Sequence, residues 1–529
     1  MTGKEQIRKI AGICGVYISL AVVTIMFTIY PLYLHDGYTA VATYKYMFYL
    51  NASKILAVLL LISFALMFIT EAEERYPVSR IKKAPLLYLM TVLYVLSNVI
   101  SYLMSEYRNI NNTEYGTIPS GPLFGYNGWY FGLVTVVSMC TMAILAGLVF
   151  KYNKVVFIPI AAGALITSVL GILNRYDVYP IKMKYARPTL ISTFGNINWF
   201  CGYLSIAVPV IYGLFLTAEK KIAKAIAYVI CFFMTFIIVV NGSDSGVIAY
   251  AVMMFAGLIL SLRSRDVFKR YILLLGLFGY TCLLITITGK ICPGVRNYSG
   301  TFDYFLFSFP VSILLTVVST TAYILINKEK KEELKTSEKW VSIITATVIG
   351  IVLVAVFVNG SDLLNYGTFD DSMGHNRMGI YKIALSVFSR FSLKEKLFGA
   401  GPDCFYYAMS EHEDLMALSR NLFGKLELTN AHCEILNVLI NEGLVGVFSF
   451  AGLCISAFIT FSRNIRKRPE MVIFILALVS YLTNNLFSFR QVTSTPLLFL
   501  LIGIAMSACK GGVNIDKTGH KDYNSIVKR

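Results

Sequence analysis

The sequence predicts an all-α polytopic membrane protein with about 14 transmembrane helices, or 12–14 allowing for one pair either way. Three observations carry that prediction. Hydrophobic residues make up 56% of the 529-residue chain, charged residues only 15%, and the mean hydropathy is +0.65, which no water-soluble domain shows. Apolar runs of about 16–25 residues recur, most of them long enough to cross a hydrocarbon core near 30 Å. The apolar/polar alternation of a membrane β-barrel is missing.

In order, the runs fall at residues 10–34, 54–70, 84–105, 129–150, 155–173, 196–217, 225–240, 246–262, 271–289, 304–326, 340–358, 443–461, 471–488 and 494–509. The first follows "MTGKEQIRK". It is too long for a signal-peptide core and lacks a small-x-small cleavage site, so it reads as a retained span. The chain divides into amino-terminal helices (1–173), a central helical region (174–358) that begins with a loop at 174–195, a large polar loop (359–442) between spans 11 and 12, carboxy-terminal helices (443–509) and a tail (510–529).

The net charge of +17 is distributed as a membrane topology signal. Lys and Arg cluster in every second connection, in "EAEERYPVSRIKK", "KYNK", "AEKKIAK", "LRSRDVFKR", "NKEKKEELKTSEK" and "SRNIRKRPE". With the two ends of the chain these hold roughly 30 of the 47 basic residues, which predicts both termini in the cytoplasm. No basic stripe suited to nucleic acid is left over. The ten cysteines form no C-x-x-C pair, and most lie in or at the end of apolar runs as small packing residues.

The two long loops, 174–195 and 359–442, then face outward. Loops of that length are usually functional or disordered, and the second carries helix-spaced apolar residues. In "HCEILNVLINEG" these are Ile435, Leu436, Leu439 and Ile440, a face suited to the membrane surface or the helix bundle. The outward chemistry consists of Arg187, Arg377 and His432. Guanidinium groups make forked contacts with phosphate oxygens, and an imidazole takes up a proton near neutral pH. Together they suit a reaction in which a pyrophosphate leaves and a hydroxyl attacks. Taken singly, each arginine reads as a snorkelling anchor and His432 as an interfacial or capping residue. His375 and His412 with Asp370, Asp371, Glu411 and Glu413 offer metal-ligand chemistry without diagnostic spacing. The span centres hold almost no ionisable residue, which weighs against an ion-coupled transporter.

Three stretches resemble the bacterial O-antigen ligase and polymerase superfamily. "RPTLISTFGNINWFCGYL" is similar to its arginine-led Gly-Thr-Phe-Gly-Asn-x-Asn turn, with Arg187, Thr193, Phe194, Gly195, Asn196 and Asn198 matching. "NRMGIYKIALSVF" with "KEKLFGAGPDCF" resembles its arginine-led helix and Gly-x-Gly turn, and "AHCEILNVLINEGLVG" its histidine segment ending in Glu-Gly-Leu-x-Gly. Cys433 stands where the family usually has asparagine, with Asn430 two places before His432. "GSDSG" stands where the family often has Ser-Arg-Gly, so that arginine's role is not carried over.

The resemblance implies a GT-C-like membrane glycosyltransferase in the bacterial cytoplasmic membrane. It would move a glycan from undecaprenyl pyrophosphate to an acceptor hydroxyl on a lipid-linked repeat, a lipid or a wall polymer, with inversion. It implies no cofactor, no nucleotide sugar and no metal, and an active site on the extracytoplasmic face. Arg187 and Arg377 take the pyrophosphate-binding role and His432 the catalytic base role, with Asn196, Asn198, Asn430 and Glu442 in support. A flippase of lipid-linked saccharides is the alternative, and a non-catalytic envelope scaffold a third reading. Polymerase and ligase are not separated by sequence.

Overall fold

The computed structural model describes residues 3–35, 37–70, 76–110, 118–181, 191–292, 309–328 and 373–509. No strand occurs among them beyond an isolated bridge between Gly121 and Gly125. The helices are α1 (Gly3–Thr24), α2 (Val41–Thr70), α3 (Pro85–Met104), α4 (Leu133–Val149), α5 (Phe157–Arg175), α6 (Ile197–Thr217), α7 (Lys221–Val240), α8 (Asp244–Ser261), α9 (Arg265–Ile291) and α10 (Phe309–Asn327). After them come α11 (Met373–Arg390), α12 (Leu393–Phe398), α13 (Phe405–Ser410), α14 (Glu413–Phe423), α15 (Glu434–Asn464), α16 (Met471–Asn485) and α17 (Thr495–Ala508). Among the described residues, ten helices are long and apolar enough to cross a membrane, and α4, α16 and α17 are shorter apolar helices. The chain is an all-helical polytopic membrane protein.

Every predicted run except one coincides with a described helix; the run at 340–358 lies outside the described residues. Two boundaries differ from expectation. The second span begins at Val41 rather than residue 54, because the polar residues in between face inward: Lys45, Tyr46, Tyr49 and Ser53 are buried, and Lys45, Tyr49 and Ser53 find hydrogen-bond partners there. The Lys45 ammonium donates to the carbonyls of Tyr30 (3.1 Å), Pro31 (2.8 Å) and Tyr33 (3.0 Å), which close the π-helical and proline-broken end of the first span. The twelfth span begins at Glu434, nine residues early, and bends at Gly443 (φ 68°). Of the two uses open to the apolar face of its first turns, packing into the bundle is not the one taken. Of Ile435, Leu436, Leu439 and Ile440 only Ile440 is buried, whereas Asn437, Val438 and Asn441 point inward.

Burial is deepest in α6, α16 and α17, the inner helices of the bundle. The apolar side chains of α2 (Ile55, Val58, Leu61, Ile62) and α10 (Leu314, Val317, Val318) are exposed and form the lipid-facing rim. The two ends of the bundle carry different chemistry. At one, Lys154 pairs with Glu219 (3.0 Å) and Glu470 (2.6 Å), and Arg270 donates to the Leu216 (2.9 Å) and Ala218 (2.7 Å) carbonyls. At that same end Arg265 donates to the Ile326 carbonyl (3.0 Å). These contacts gather the basic connections together. At the opposite end α11–α14 pack around a second apolar core that includes Ile383, Val387, Phe405 and Met409. The 373–440 stretch is therefore folded. Its helices carry their own signals, such as the capping box of Ser392 and Glu395 on α12.

Candidate functional site

Between this outer layer and the helix ends lies a cavity of about 240 Å³, lined by Asn198, Ser243, Asp244, Arg377, Phe423 and His432 among others. Arg377, His432 and Asn198 come from three stretches far apart in sequence, and the fold brings them to one place. Each is positioned by a different local device.

Asn196 caps α6, its Oδ1 accepting from the N–H groups of Asn198 (2.8 Å) and Trp199 (3.3 Å). That cap sets the first turn, so Asn198 faces the cavity and its Oδ1 accepts from the Ser243 hydroxyl (3.0 Å). Asn196 thus acts on the site through the helix start.

His432 sits in a left-handed backbone conformation (φ 46°). Asn430 makes that conformation available: its Oδ1 accepts from the His432 N–H at 3.0 Å, closing an Asx turn. Asn437, one turn into α15, accepts from the Ala431 N–H at 3.3 Å. Cys433 is the N-cap residue of α15 and makes no side-chain cap there.

The third device is one that sequence reading missed. The segment between α16 and α17, "LFSFRQVTS", places Phe487 under the Arg377 guanidinium (5.9 Å to the ring centroid) and Phe489 edge-on to the His432 ring (5.4 Å, 79°). Phe489 also meets Trp129 (4.7 Å), whose indole N–H donates to Thr429 Oγ1 (2.7 Å) and whose ring contacts Trp199 (5.6 Å). Arg490 locks the segment in place. Buried within the bundle, it donates from Nη2 to both Glu442 carboxylate oxygens (2.7 and 3.0 Å) and from Nη1 to the Tyr94 hydroxyl, and its Nε forms an ion pair with Glu434. Its backbone N–H donates to Glu434 Oε2 at 2.7 Å. Glu442, expected to support the site, is the counter-ion of Arg490 and does not line the cavity. A signal for Arg490 was present in the sequence, since it is a lone arginine in a connection where the charge pattern places few.

Electrostatics tie the two reactive groups together. Burial, with the positive charge of Arg377 second, lowers the His432 imidazole to about 4. The imidazole is accordingly neutral at neutral pH. Burial also lowers the Arg377 guanidinium, with Tyr381 and Asp244 opposing that effect. Asp244 is the acidic residue of the "GSDSG" stretch. It is the carboxylate of the cavity, at the start of α8.

Two further expected features need placing. Arg187 lies outside the described residues, as do Asp370 and Asp371 of the suggested metal group. Glu411 of that group accepts from the Tyr107 hydroxyl (2.6 Å), and no cluster of three His, Cys, Asp or Glu side chains suited to a metal occurs among the described residues. The Gly-x-Gly turn proves to be a packing element. The N–H groups of Ala400 and Gly401 donate to the Ile440 and Asn441 carbonyls (both 2.9 Å), joining the second motif to the third beside the Gly443 bend. Buried Asp403 in the same turn accepts from the Tyr126 (2.7 Å) and Phe131 (3.1 Å) N–H groups, and burial pushes its carboxyl up to about 6. Compared with known proteins, the chain matches no family model and no curated protein.

Proposed function

We propose that this chain is an O-antigen ligase/polymerase-like glycosyltransferase that moves a glycan from undecaprenyl pyrophosphate to an acceptor hydroxyl in cell-envelope polysaccharide biosynthesis. The observation that carries this reading is the convergence of Arg377, His432 and Asn198 on one cavity. That cavity lies at the end of the bundle opposite the basic connections. The positive-inside rule supports reading that end as the extracytoplasmic face of a bacterial cytoplasmic membrane, with both termini and the tail inside. The full count on this reading is about 14 spans in a GT-C-like arrangement, the span at 340–358 completing the alternation.

In the reaction the acceptor oxygen attacks the anomeric carbon and its proton passes to the neutral imidazole of His432. The bond from that carbon to the pyrophosphate oxygen breaks, undecaprenyl pyrophosphate leaves, and a single displacement inverts the configuration. Arg377, with Arg187, neutralises the charge gathering on the leaving pyrophosphate. An anion beside Arg377 also offsets the positive charge that depresses His432. Donor binding thus strengthens the base at the moment it is needed. No nucleotide sugar, cofactor or metal is required by this scheme.

The test is incubation of purified protein with a synthetic undecaprenyl-pyrophosphate saccharide and an acceptor. Product formation lost in His432→Ala supports the enzyme; transbilayer movement of the donor without any product establishes a flippase instead. A ladder of products identifies a polymerase and a single addition a ligase.

A further inference from the structure

A second cavity, of about 510 Å³, lies between the end of the first span and α2, on the lipid-facing side of the bundle. It shares no lining residue with the candidate site, and the buried Tyr30 and Lys45 stand between that face and Phe194 of the 191–198 turn. Its floor is apolar (Ile25, Ile29, Ile55, Leu56) and its rim polar (Tyr33, His35, Tyr44). The π-helical turn Ile25–Ile29 shapes the floor, and His35 stacks on Tyr44 at the rim with ring centroids 4.0 Å apart. Such turns mark functional sites more often than regular helix does.

The depth of the groove can be read from α2. Its 30 residues span about 45 Å, roughly 15 Å more than a hydrocarbon core. Beyond Val58 the outer face of α2 (Leu61, Ile62, Leu66, Phe68, Ile69) is apolar and exposed, so the excess lies at the Val41 end. Asn51 and Lys54 consequently mark the hydrocarbon boundary, and the rim lies in the headgroup layer. Helix side chains tilt toward the amino terminus, so exposed Lys54 leans toward the rim, one turn from Asn51. α2 contains no acidic side chain, and Asp36, next to His35 in sequence, lies outside the described residues. Along α2 the floor runs without interruption into the bilayer-facing surface of Ile55, Val58, Leu61 and Ile62.

We propose that this groove seats one anionic phospholipid from the leaflet on the site's side. An acyl chain lies on the isoleucine floor, the phosphate meets Lys54 beside Asn51, and the headgroup beyond it reaches the His35 and Tyr44 side chains. A donor held at Arg377 would not occupy it, because the buried layer separates the two. The seat is linked to the site wall: the Pro31 carbonyl behind it takes both the Lys45 ammonium and the Thr193 hydroxyl (2.5 Å).

The test is native mass spectrometry of the full chain, delipidated in mild detergent and then given phosphatidylglycerol, phosphatidylcholine or undecaprenyl phosphate. One phosphatidylglycerol should be retained over phosphatidylcholine by about fivefold, the worth of one lysine near a membrane surface. Lys54→Ala should erase that preference, and Ala52→Phe, which fills the groove, should reduce retention of both lipids several-fold at an unchanged melting temperature. Should Ala52→Phe not fold, the selectivity of Lys54→Ala decides alone. Preference kept in Lys54→Ala, retention kept in a folded Ala52→Phe, or displacement of phosphatidylglycerol by equimolar undecaprenyl phosphate would each overturn the proposal. These outcomes are independent of glycosyl transfer at Arg377 and His432.

Discussion

At the scale of single residues, the account turns on an imidazole kept neutral by its surroundings. Because burial and Arg377 depress His432 to about 4 against an ordinary value near 6.5, the folded chain resists the proton that the unfolded chain accepts. The contribution of His432 to stability is therefore complete above about pH 6.5 and lost as the pH falls toward 4. Among the five histidines, NMR titration should find one with its midpoint near 4, and Arg377→Gln should move that midpoint upward. A midpoint that stays put in Arg377→Gln would separate the two groups. His432 and Arg377 were legible in the sequence because both begin helical segments after a polar stretch. Asp244 was not, because nothing in "GSDSG" shows that the α8 start folds against α11.

At the scale of elements, the motif glycines act through the backbone. Gly443 (φ 68°) bends α15, and a Cβ there would stand 2.5 Å from the Leu397 carbonyl carbon and oxygen. Gly399 (φ 77°) faces it, with a Cβ only 2.3 Å from the Asn441 carbonyl oxygen. Gly443→Ala and Gly399→Ala should each cost about 3 kcal/mol from backbone strain and contact, read as a lowered melting temperature. Near-native stability in either variant would show that the two motifs are not locked together as described. Asn196→Ala, which removes only a helix cap, should cost about 1 kcal/mol. Helix positions were legible here because apolar runs have a length set by the bilayer. The starts of α2 and α15 were not, because their polar residues are paid for by partners distant in sequence, Lys45 by the carbonyls of the first span and Glu434 by Arg490.

At the scale of the whole molecule, Arg490 connects bundle and site. Arg490→Met would strand two buried carboxylates and should cost about 3–5 kcal/mol, and Arg490→Lys should not restore function, because one ammonium cannot replace three guanidinium nitrogens directed separately at Glu434, Glu442 and the Tyr94 hydroxyl. Activity retained in Arg490→Met would remove the Phe487–Arg490 segment from the site's support. Topology has its own check. Exposed Cys292 follows α9 at the site's end of the bundle, where the Thr288 hydroxyl bonds that of Tyr176 (2.6 Å). A membrane-impermeant maleimide should label it in intact cells, whereas Glu219→Cys should label only after permeabilisation. The reverse pattern would invert the orientation.

The most direct measurement is a double-mutant cycle on glycosyl transfer from undecaprenyl pyrophosphate, comparing His432→Ala, Arg377→Ala and the pair. Groups that serve one displacement fail together, so each single variant should lose at least about a hundredfold and the pair should fall little further. Near-wild-type transfer by either single variant, or losses that simply multiply, would contradict a shared site.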